Sequence, residues 1–119
     1  KCFCSKMVAV TSTRLEDHAT NTTASHRHIP VLRCDDLLAV RPWHSRLIVV
    51  ELFDGAEWLH EFRHPASAYY VFGPEDGSVP NHIRDRAQHV IKIRSWHCLN
   101  LAATVNVVLA DRAAKRGLG

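Results

Sequence analysis

RLIVVELF, residues 46–53, carries apolar residues at successive positions rather than alternate ones. Such a strand is covered on both faces, the usual state in a parallel sheet flanked by helices. Four more short runs read as strands: MVAV (7–10), IPVL (29–32), SAYYVFG (67–73) and HVIKI (89–93). Helical stretches separate most of them. DDLLAV (35–40) opens with two acids, which favour a helix N-terminus, and RPWH ends it. Asp54 and Gly55 open AEWLHEF (56–62), which His64–Pro65 closes. PNHIRDRAQ (80–88) places Pro80 near a first helical turn. The longest helix is LNLAATVNVVLADRAAKRG (99–117), where Leu101, Val105, Val108 and Leu109 recur at helical spacing and Gly117 stops the run. Residues 11–28 are polar, lack a period and read as a long loop. The pattern is α/β with a mostly parallel sheet.

The chain has 119 residues, enough for one domain with a sizeable core. Hydrophobic residues make up 46%, which excludes a disordered polymer. A net charge of +3 permits an RNA partner without requiring one. The 9 histidines gain charge below about pH 6.5. Cys2, Cys4, Cys34 and Cys98 are irregularly spaced and read as reduced thiols, so a cytoplasmic location is expected. The longest apolar run, within LNLAATVNVVLA, is too short and too polar to span a bilayer, so no membrane partner is expected. Cys2-x-Cys4 and His26-x-His28 do not have zinc-finger spacing, and no metal is expected. The chain starts at Lys1 rather than Met and reads as a fragment or a processed product.

In parallel α/β sheets, ligands bind beyond the carboxyl ends of the strands. Three loops fall there: ELFDG, FGPEDG and IRSWHCLN. The second stands in Val71-Phe72-Gly73-Pro74-Glu75-Asp76-Gly77, an apolar-apolar-Gly-x-Glu-x-Gly run. The third is Ile93-Arg94-Ser95-Trp96-His97-Cys98-Leu99-Asn100, leading into a helix. In this order the motifs resemble the SPOUT superfamily, in its SpoU/TrmH-type branch of RNA ribose 2′-O-methyltransferases, over roughly residues 7 to 116. The resemblance implies a single domain over 1–119 with a trefoil knot, a rare exception to unthreaded chains. It also implies S-adenosylmethionine as cofactor, tRNA or rRNA as partner, and a homodimer. By the same resemblance, Leu52, Phe72, Gly73, Ile93, Cys98 and Leu99 line the cofactor pocket, and Glu75 and Asn100 serve catalysis. Gly73, with no Cβ, leaves room for a close approach to the backbone.

The family's first motif, a strand followed by an Asn and a catalytic Arg, has no counterpart before CFCSKMVAV. Arg14 lies after the strand, Arg94 replaces a usual Pro, and Trp96-His97 stands where Gly is common. The sequence therefore reads as a family member without its first strand and most of its first helix. Residues 1–119 are expected to bind cofactor weakly and to transfer little methyl. A truncated, non-catalytic knotted relative that binds RNA or cofactor only is the alternative. An unrelated nucleotide-binding module would need a Gly-rich phosphate loop, and none is present.

Plainer roles exist for several of these residues. Glu75 fits a turn carboxylate that caps the next helix, Asn100 a helix N-cap and Cys98 a small buried thiol. His26, Arg27, His28 and Arg33 fit either an RNA-facing patch or a solvated loop. Trp58 and Phe62, four apart on the expected helix, read as core or dimer contacts rather than a base-stacking platform.

Overall fold

The structure is a computed structural model and describes residues 8–10, 31–51, 55–73, 79–93 and 101–117. The chain divides into two compact units, Lys1–Arg41 and Pro42–Gly119. In the first, β1 (Val8–Val10) pairs in parallel with β2 (Val31–Arg33), Val8 opposite Val31 and Val10 opposite Arg33. β2 overlaps the expected strand 29–32 but runs on to Arg33. The expected helix 35–40 is a single 3-10 turn, Leu37–Val40. Asp36 caps it, its carboxylate accepting the Leu38 N–H at 3.0 Å. Arg41 is extended, as a residue preceding proline must be, and the turn ends there.

The second unit is built on a four-stranded sheet. Its strands are β3 (Arg46–Val50), β4 (Glu57–Trp58), β5 (Ala68–Phe72) and β6 (His89–Lys92), in the order β4-β6-β3-β5. Every pairing is parallel, as the apolar runs predict. Leu47, Ile48, Val49 and Val50 are all buried, so both faces of the central strand are covered. Ile48 and Val50 join Leu59, Phe62, Ile91 and Val108 in one core, against which Ala68, Tyr70, Phe72 and Ile93 pack. Tyr69 and Val71 alternate with these along β5 and are also buried.

Two helices follow the strands. α1 (Asn81–Arg84) starts after Pro80 and is shorter than the expected 80–88. Arg86 and Ala87 donate to carbonyls three residues back, which tightens the turn. Gln88 is then already tied to β3: its N–H donates to the Leu47 carbonyl, and its Oε1 accepts the Leu47 N–H at 2.8 Å. α2 (Leu101–Arg116) is the expected long helix, and Gly117, at φ +68°, supplies the left-handed residue that ends it. Among the described residues no helix is long and apolar enough to cross a membrane.

The helix expected over 56–62 is not found. Glu57–Trp58 instead forms an edge strand on β6, opposite Ile91 and Lys92, and Leu59–Glu61 is one 3-10 turn. Tertiary pairing overrides helix propensity here. The Lys92 ammonium sits 4.4 Å from the Trp58 ring centroid, a cation–π contact, and Lys115 of α2 takes the Leu59 and Phe62 carbonyls. Trp58 and Phe62 therefore do not share a helix face. Phe62 is core, as read from the sequence, whereas Trp58 lies half-buried at the sheet edge.

Candidate functional site

The strand register brings the motif-bearing ends together. Val50 is the residue paired with both Phe72 of β5 and Ile91 of β6. The chain therefore leaves the sheet at Glu51, Gly73 and Ile93 along one rim, on adjacent strands. Phe72 and Ile93 are half-buried, each packed on the core beneath. Gly73, also half-buried, adds no side chain. Of the residues predicted for the site, Phe72, Gly73 and Ile93 thus meet at this rim. Leu52, Glu75, Cys98, Leu99 and Asn100 lie outside the described residues.

One residue at the rim went unread in the sequence. Glu51 directly follows β3, which ends three residues short of the expected strand end at Phe53, and its N–H still donates to the Ile91 carbonyl at 3.0 Å. Its Oε1 accepts the Val79 N–H at 3.0 Å, and its Oε2 lies 3.2 Å from Arg84 Nε. Arg84 Nη2 also donates to the Val79 carbonyl at 3.2 Å. Val79 is thus held through both backbone groups, and its side chain is buried. A lone carboxylate interrupting the apolar run RLIVVELF was the available signal for Glu51. Nothing local marks Arg84 as its partner.

A second polar cluster fastens α2 to the segment before β5. The His64 side chain is wholly buried. Arg112 Nη1 donates to Tyr70 Oη at 3.1 Å, and the Tyr70 hydroxyl donates to His64 Nδ1 at 2.6 Å. His64 Nε2 donates to Asp111 Oδ2 at 2.7 Å, which Lys115 Nζ also meets at 2.9 Å. This donor–acceptor chain closes with the imidazole neutral and its proton on Nε2. Burial pushes the His64 pKa below its ordinary 6.5, against the opposing pull of the Asp111 hydrogen bond. Burial likewise raises the Tyr70 pKa, opposed by Arg112, so the phenol stays protonated. Arg112 further binds the Pro65 and Ala66 carbonyls, and Arg116 that of His64. In the sequence, His64–Pro65 carried only a helix-stop signal.

Among the described residues no group of three or more His, Cys, Asp or Glu side chains is placed to hold a metal ion. The rim offers apolar walls and backbone groups next to a glycine, which suits a flat, largely neutral nucleoside better than a cluster of phosphates.

Comparison with known proteins agrees with this fold. A solved structure described as "Structural insights into the 2-OH methylation of C/U34 on tRNA" matches over 95% of this chain and 79% of its own, with a TM-score of 0.69 and 21% identity. At that identity the likeness establishes the fold. No curated protein matches the chain significantly. The model of the SpoU rRNA Methylase family matches residues 3–110, nearly the whole sequence. The chain belongs to the SpoU rRNA methylase family, a family of RNA methyltransferases.

Proposed function

We propose that the chain uses S-adenosylmethionine, held at the rim of β3, β5 and β6, to methylate a ribose 2′-hydroxyl of tRNA or rRNA. The observation that carries this reading is the register at Val50, which sets the exits of all three family motifs side by side. The cofactor supplies an electrophilic methyl group on sulfur. Phe72 and Ile93 provide apolar walls, Gly73 admits close approach to the backbone, and Leu52, Cys98 and Leu99 complete the pocket by family resemblance. Glu75 and Asn100 are assigned to orienting the ribose, so that the 2′-oxygen lies in line with the methyl group. The tRNA half of the assignment draws support from the tRNA described for the structural relative.

The same reading includes a single domain over 1–119 in a cytoplasmic protein, with α2 threaded behind residues 73–80 to form the knot. An experimental structure with α2 outside that loop would contradict the threading. It also includes a homodimer through α2, where Leu101, Val105 and Leu109 are only half-buried and Val107 is 39% exposed. Sedimentation at tens of micromolar concentration is expected to show the dimer, and a strict monomer would contradict it.

Methyl-labelled S-adenosylmethionine, incubated with the chain and separate tRNA and rRNA pools, tests the reaction. Transfer is expected to be weak, since the first-motif Arg has no counterpart in the sequence, and the label that is transferred is expected in alkali-resistant dinucleotides, because a methylated 2′-oxygen blocks strand cleavage at that residue. Label on a base would overturn the ribose assignment. Cofactor binding with no transfer to either pool would support the binding-only relative instead.

A further inference from the structure

We propose that Glu51 is a positioning residue for the cofactor rim, acting through Val79 and held in place by Arg84. This rests on the cofactor reading given above and gives a role to Glu51, the first residue of the ELFDG loop, to which the family resemblance assigned none. Three observations carry it. Glu51 stands one residue past Val50, the position at which β3 is level with Phe72 and Ile91. Its backbone N–H ties the rim to β6, and its Oε1 ties the rim to Val79. Val79 lies six residues after Gly73 in the sequence, and Glu51 holds its backbone N–H beside the end of β3.

The charge explains why a glutamate stands there. Glu51 Oε2 is buried without an aligned hydrogen bond, and the Arg84 guanidinium 3.2 Å away meets its charge. The planar guanidinium reaches Glu51 with Nε and the Val79 carbonyl with Nη2, which an ammonium on a flexible stem does not reproduce. A partly buried pair that also satisfies both backbone groups of one residue fixes geometry more than it adds net stability. A ligand-binding rim gains from such fixing, since ordering it upon binding weakens affinity.

The test compares S-adenosylmethionine affinity by calorimetry for the unaltered chain, Glu51→Ala, Glu51→Gln and Leu47→Ala. Leu47 is fully buried toward the other end of β3, so its truncation destabilises the sheet without touching the rim. Glu51→Ala is expected to weaken binding by about tenfold or more, the scale of one charge-assisted contact. Glu51→Gln keeps an acceptor for the Val79 N–H and is expected to fall between Glu51→Ala and the unaltered chain. Leu47→Ala is expected to lose thermal stability while staying within about threefold in affinity at a temperature where it is folded. Equal affinities for Glu51→Ala and Leu47→Ala would overturn the positioning role and leave the cofactor reading intact. No uptake by the unaltered chain would overturn both.

Discussion

Replacing His64 with alanine is expected to destabilise the chain by about 2–4 kcal/mol, the sum of a cavity and orphaned polar groups. The side chain is wholly buried, so the cavity cannot simply fill with bulk water. The Tyr70 hydroxyl loses its acceptor, and Asp111 loses one of its two donors. In a domain of this size the loss corresponds to a fall in Tm of roughly 10 °C or more. His60→Ala, at a position whose side chain is 55% exposed, is the control and is expected to change Tm little. Thermal denaturation of both variants at pH 7.5 checks the contrast. Equal Tm values would mean that the network does not hold α2 in place.

The same histidine gives a pH dependence of known sign. Its pKa is near 6.5 in the unfolded chain and lower in the folded one. Below pH 6.5 the unfolded state therefore binds the proton more readily, and folding stability falls as pH decreases. Above pH 6.5 the contribution is complete. The charged groups facing the ring are Asp111, Lys115 and Arg112, and the two cations add to the cost of a protonated imidazole. The stability gap between the unaltered chain and His64→Ala is expected to narrow between pH 7 and pH 5. A gap that widens on acidification would contradict a neutral imidazole.

The second large effect is expected at Gly73. The residue follows Phe72 directly, at the rim where Val50, Phe72 and Ile91 are in register. A valine there projects a branched side chain into the space assigned to the cofactor and beside the half-buried Phe72. Overpacking of this kind costs about 1–3 kcal/mol, or roughly tenfold to a hundredfold in affinity. Ala114→Ser, on the exposed side of α2, is expected to bind as the unaltered chain does. Titration calorimetry with S-adenosylmethionine checks the pair, and equal affinities would place the pocket elsewhere.

The parts of the fold that local sequence determines were legible. Consecutive β-branched residues in RLIVV mark a strand covered on both faces, and the helical spacing of Leu101, Val105 and Val108 marks α2. The Gly73 and Ile93 motifs point to the rim that the register then assembles. What was not legible depends on partners distant in the chain. Glu57–Trp58 is a strand only because Ile91–Lys92 lies beside it, and its own residues carry an equally good helical reading. His64 matters because Asp111, 47 residues on, turns its carboxylate toward Nε2. Glu51 looks like an ordinary strand end until Val79 and Arg84 are placed against it.

The central claim is that the cofactor binds at the rim formed by the ends of β3, β5 and β6. Titrating S-adenosylmethionine into the isotopically labelled chain and following backbone amide resonances tests it most directly. The account predicts that the largest changes fall on Glu51, Phe72, Gly73, Val79 and Ile93, with little change at Arg46, Ala68 and His89 at the opposite ends of the same strands. Changes concentrated at Arg46, Ala68 and His89, or none at saturating cofactor, would contradict it.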